Sequence, residues 1–141
     1  MNKCKIISLG FVLLGGASLA AVSEQENVTL KGVMQGLLKS NLKLNESIVL
    51  QNFSAIELAA NQIGHHPKPD MKIRMQLVKN MGTEMGQFKS MDNVVHNAAL
   101  AIEAAAKSQD MEQVLVQYST MIKGCQACHG KYKKRVAEIF K

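Results

Sequence analysis

The strongest constraint on this chain is its rhythm. Apolar residues return at three- and four-residue steps in four separate stretches, and no alternating run of useful length competes with them. Leu30, Val33, Leu37, Leu44 and Ile48 mark a helix A over about residues 27–48, with Met34 beside Val33 and Asn41 interrupting the seam. Asn52 is a candidate N-cap for helix B, in which Phe53, Ile56, Ala60 and Ile63 share one face up to about Gly64. His65-His66-Pro67-Lys68-Pro69-Asp70 reads as a turn, because two prolines two apart have no place inside a regular helix. From Met71 to Gly86 the pattern weakens, and Gly82 and Gly86 make a continuous helix costly, so a partly helical connector is expected. Phe88, Met91, Val95, Ala98, Ile102 and Ala105 define helix C. Asp110 with Gln113 three residues on resembles a capping box, opening a helix D that carries Val114, Tyr118, Met121, Cys125, Cys128, Tyr132 and Val136 on its core stripe. Four such helices predict an all-α, antiparallel four-helix bundle.

The first twenty residues stand apart from that bundle. Lys3 and Lys5 precede an apolar run from Ile6 to Leu14, and small residues follow from Gly15 to Ala21: an export signal, with cleavage expected after Ala20. Residues 21–141 are then the mature bundle. The apolar run is about half the ~20 residues a membrane span needs, and no later segment replaces it. Cys4 lies in the charged leader, too early for a lipoprotein site, and leaves with it. The expected location is the periplasm. The full chain carries 17 Lys+Arg and 11 Asp+Glu, a net +6; without the leader, 15 and 11 leave +4, far from a nucleic-acid binder's excess.

Two cysteines remain, in the run Cys125-Gln126-Ala127-Cys128-His129. This C-x-x-C-H spacing is that of c-type haem attachment. On a helix, positions i and i+3 share a face, so two thiols can bond to two vinyl groups along one porphyrin edge. His129, one turn beyond Cys125, can then present an imidazole nitrogen to the iron. Zinc would need about four ligands, and only His129, His96 and the His65/His66 pair could complete them. A thioredoxin-like dithiol belongs to a βαβ context that this chain lacks, and a plain disulfide leaves His129 without a purpose. Among residues 21–141 only Phe53, Phe88, Tyr118, Tyr132 and Phe140 are aromatic, so a flat macrocycle would supply apolar surface that the side chains do not. No nucleophile–base pair, paired carboxylates or glycine-rich cradle points to an enzyme.

Taken together, the chain from about Asn27 to Val136 resembles the class II c-type cytochromes, the cytochrome c' group. The resemblance rests on the early Met of the first helix, the run Asn52-Phe53, Ile56-Glu57 and Ala60 ending at His66-Pro67, and above all C-x-x-C-H in the last helix. It implies a left-handed bundle holding one covalent haem c, used for periplasmic electron transfer or, in five-coordinate members, for binding small gases such as NO or CO. It also allows two bundles to pair through helices A and B.

The sixth iron position decides between those uses. In an up-down-up-down bundle the start of A lies beside the end of D. Met34 is then ~10 Å from one helix end and His129 ~12 Å from the other, at similar height. Met34 is the candidate sixth ligand, in agreement with the resemblance, since low-spin members carry a ligating Met at about this place. Leu30, Leu37 or Leu38 covering a free distal face is the alternative, and Met71, Met75, Met81 and Met85 stay open because their connector is poorly determined. Lys133 stands where the family often has Arg near the haem face, and a Lys there lacks the planar bidentate fork. Lys123, Lys131, Lys133, Lys134, Arg135 and Lys141 surround the attachment helix and suit an acidic redox partner. His96 reads as a partly buried helix residue, with bis-histidine ligation a distant option, and His65-His66 as a solvated turn. A colourless helical module closed by a Cys125–Cys128 disulfide is the reading from a different class.

Overall fold

A computed structural model describes residues 28–141, so the expected leader, residues 1–20, lies outside the described residues. The chain forms α1 (Leu30–Val49), α2 (Phe53–Gly64), α3 (Met71–Met81), a 3-10 turn (Gly82–Glu84), α4 (Met85–Lys107) and α5 (Met111–Ile139), with no strand among the described residues. Helices α1, α2, α4 and α5 are the expected A to D and make an antiparallel four-helix bundle. The connector is helical for most of its length: α3 stops where Gly82 takes φ 55°, and the exposed Gly86 is tolerated in the first turn of α4.

Local chemistry sets the ends. Thr29 Oγ1 accepts from Gly32 N at 3.0 Å, Asn52 Oδ1 from Ala55 N at 3.1 Å and Asp110 Oδ1 from Gln113 N at 3.0 Å. Each cap satisfies one otherwise orphaned donor, worth about 1 kcal/mol. Two corners share one construction. After α1, Gln51 N reaches Ile48 O and Asn52 N reaches Ser47 O, both at 3.0 Å; after α4, Gln109 N reaches Ala106 O at 3.1 Å and Asp110 N reaches Ala105 O at 2.9 Å. This is the Schellman pattern, and at both corners its last residue is also the N-cap of the next helix. The left-handed position falls on glutamine rather than glycine, with φ 52° at Gln51 and 58° at Gln109.

The interior is in two parts. A larger cluster joins Leu44 of α1, Ile56, Ala59, Ala60 and Ile63 of α2, the alanines and Ile102 of α4, and Val114 and Met121 of α5. A smaller one, at the other end of α5, joins Leu77, Met81 and Tyr132, with Leu30, Phe88, Cys128 and Val136 packed against it. Tyr132 and Phe88 meet edge to face, 5.3 Å between centroids. Backbone packing is close between α1 and α2, α2 and α4, and α4 and α5; the α1–α5 seam has no such close packing.

Candidate functional site

The site is built on one face of α5. At about 100° per residue, Cys125 and Cys128 fall on the stripe that also carries Met121 and Tyr132, at the level where the two apolar clusters part. Both cysteines are half-buried and neither is in a disulfide. Burial pushes both thiols above their ordinary range, and the nearby Asp92 carboxylate and Cys125 push Cys128 further. A redox dithiol needs the opposite shift, toward thiolate. Directly before the pair, a Cβ on Gly124 would meet Val94 Cγ1 and Val95 Cγ2 at 3.1 Å, so glycine is what lets α4 lie against α5 here.

His129 is exposed, on the α5 flank turned toward α1. That flank is identified by Tyr118, whose Oη lies 3.5 Å from Asn45 Oδ1 of α1. His129 is eleven residues beyond Tyr118, and Met34 eleven before Asn45. Eleven residues are close to three full turns, about 16 Å, so each step returns to nearly the same face. Because the helices run antiparallel, Met34 and His129 come to one level of the α1–α5 seam. Met34 is 37% exposed there. Lys133, exposed and one turn past His129, shares its flank. Of the other methionines held open, Met71 and Met75 are 61% and 65% exposed, Met81 is buried beside Tyr132 in the smaller cluster and Met85 is half-buried against it.

These residues fit a covalent haem c. Two thiols a turn apart face the interior between two apolar clusters, an imidazole follows immediately, and a thioether stands level with it across the loosely packed seam. Asn41, on α1 between Met34 and Asn45, has a buried Oδ1 with no partner among the described residues. Buried polar atoms are nearly always paired, and a donor on a bound group would satisfy this one.

Two features differ from the expectations. His66 is not in a solvated turn: it is half-buried, its ring 4.6 Å from that of His96, because the turn after α2 folds back over α4; His65 alone is exposed. The cationic surface is also smaller than the sequence implies. Arg135 pairs with Glu84, and Lys131 lies 3.9 Å from the same carboxylate, leaving Lys123, Lys133, Lys134 and Lys141 without an ion pair among the described residues. Asp92, half a core residue by position, carries no motif and had no signal in the sequence; only the fold shows its charge acting on Cys128.

No helix among the described residues is long and apolar enough to cross a membrane. The chain matches no curated protein and no solved structure. Residues 24–133 match the family model described as cytochrome c'. Spanning most of the chain and including the C-x-x-C-H run, that match shows that the protein belongs to the cytochrome c' family, haem c cytochromes of electron transfer or gas binding.

Proposed function

We propose that the chain is an exported, periplasmic monohaem cytochrome that carries electrons, with Cys125 and Cys128 as the covalent anchors, His129 as the axial iron ligand and Met34 as the sixth. What supports this reading is that Met34 and His129 each stand eleven residues from the Tyr118–Asn45 contact on antiparallel helices, which by helix rise brings them near one level of the α1–α5 seam. When bound, the haem supplies a one-electron Fe(III)/Fe(II) couple, whose potential a His/Met pair raises.

The protein's own groups do the rest. Two anchors on one helical face hold the orientation of the ring, so that no ligand has to find it by diffusion. With haem bound, the Met34 thioether would take the sixth position and leave none for a gas. Leu77, Met81, Tyr132 and Met121, all buried, would keep water from a haem attached at Cys125 and Cys128, which would favour its less charged, reduced state. Lys123, Lys133, Lys134 and Lys141 would remain free to steer an acidic partner, with Lys133 one turn past His129. Exposed Leu38, Leu42 and Val49 on α1, with Leu58 on α2, offer an apolar face for pairing two bundles.

The competing reading is a five-coordinate gas binder, favoured by Leu37, half-buried on the interior side of α1 one turn from Met34. Carbon monoxide added to the reduced protein separates them. Slow or absent uptake with a six-coordinate, low-spin spectrum supports electron transfer; rapid uptake rejects it.

A further inference from the structure

We infer that His66, Asp92 and His96 form a second metal site, for a divalent cation of the zinc class, between the end of α2 and the middle of α4. One ligand atom from each of the three lies within 4.8 Å of the others, and all three residues are half-buried. Asp92 and His96 stand one turn apart on α4, with His96 Nε2 3.5 Å from Asp92 Oδ2. His66 is brought over them by the turn after α2, its ring centroid 4.6 Å from that of His96.

The hydrogen bonds around the cluster prepare it for a cation. His96 Nδ1 lies 2.9 Å from Gly64 O, and His66 Nδ1 lies 3.0 Å from Pro67 O. A carbonyl oxygen can only accept, so each Nδ1 is the donor and Nε2 is the nitrogen left to take a ligand. Outer-shell carbonyls fix metal-binding histidines in this tautomer. The cluster therefore gathers two imidazoles and a carboxylate, with His96 Nε2 turned to Asp92 Oδ2. A divalent cation would draw all three ligand atoms together.

Two imidazoles and one carboxylate suit zinc and its first-row neighbours rather than magnesium or calcium, and leave a fourth position for water. Ligand atoms about 2.0–2.2 Å from zinc stand about 3.3 Å apart in a tetrahedron. The Asp92–His96 pair is already near that spacing, and the His66 ligand atom lies within 4.8 Å of both. The fold supports the approach: a Cβ on Gly64 would come within 2.8 Å of Leu100 Cδ2, so glycine at the end of α2 is what seats its carbonyl on His96. A cation here would tie α2 to α4.

The test is zinc titration of the tag-free, haem-loaded protein against a chromophoric chelator, with magnesium as the control ion. One equivalent of zinc is expected to bind and to raise the melting temperature, since a ligand taken only by the folded state stabilises it. His66→Ala and Asp92→Asn should each weaken zinc binding by at least about tenfold, the smallest loss found even for outer-shell partners. His65→Ala, one residue away and solvent-facing, should leave it unchanged, and His66→Ala should leave the haem spectrum unchanged. Zinc binding no tighter than magnesium, or unaltered by both triad variants, overturns the site. So does a shift of the haem spectrum in His66→Ala, which would assign the pair to the haem instead.

Discussion

Tyr118 Oη of α5 lies 3.5 Å from Asn45 Oδ1 of α1, and the same eleven-residue step leads from Tyr118 to His129 and, in the opposite chain direction, from Asn45 to Met34. By helix rise, this contact marks Met34 as the α1 residue near the level of the imidazole that follows the cysteines. Slipping α1 by one residue would rotate Met34 about 100° out of the seam.

Met34→Ala is therefore expected to convert a six-coordinate, low-spin protein into a five-coordinate one that takes up carbon monoxide quickly when reduced. Met34 is partly exposed, so the unfolding free energy should fall by only about 1 kcal/mol. Absorption spectroscopy with added carbon monoxide, beside a denaturant melt, reads both. An unchanged low-spin spectrum would return the sixth position to Met81, Met85 or another ligand.

The two glutamine corners give a stability test independent of any cofactor. Gln51 and Gln109 hold left-handed φ values of 52° and 58° that glycine adopts without a Cβ clash. Gln51→Gly and Gln109→Gly should each stabilise the fold by about 0.5–1 kcal/mol, the left-handed penalty of about 1–2 kcal/mol less glycine's extra backbone entropy, measured by denaturant unfolding. A loss of stability in both would mean that the glutamine side chains contribute more than their backbone strain costs.

Much of this was legible in the sequence. Asn52 and Asp110 announce their caps because each precedes an apolar period, and C-x-x-C-H names its helix face by spacing alone. The start of α4 was not legible: glycine's intrinsic cost argues against Met85-Gly86 as helix, yet the segment is held there by Met85 packing against the smaller cluster. His66 escaped for another reason. Its neighbours Pro67 and Pro69 mark a turn truthfully, but a turn signal does not say which helix the chain folds back upon.

Acid should act through Glu103. The hydrogen bond from Lys107 holds its carboxyl below the ordinary carboxylate range against some desolvation, with Asn61 also donating at 3.2 Å. A carboxylate depressed in the folded state stabilises the protein above its unfolded value of about 4.3, and that contribution is lost as pH falls through the lower folded value. Glu103→Gln should cost a few tenths to about 1 kcal/mol at pH 7 and flatten the fall in melting temperature below about pH 5. An identical acid slope in wild type and variant would contradict this.

Partner binding should be sensitive to salt. Lys123, Lys133 and Lys134 are unpaired among the described residues, whereas Arg135 is engaged with Glu84. Replacing the three lysines by Glu should slow electron transfer from an acidic donor protein by about tenfold or more at low ionic strength, and the difference should shrink as salt rises. Stopped-flow kinetics across a salt series measures it; a rate indifferent to salt would remove the docking face.

The most direct measurement is the intact mass of protein matured through export, compared with that of the Cys125→Ala, Cys128→Ala double variant. The wild type is expected at the mass of residues 21–141 plus one haem, and the double variant at the polypeptide mass alone. A wild-type mass equal to bare polypeptide would contradict covalent haem at Cys125 and Cys128.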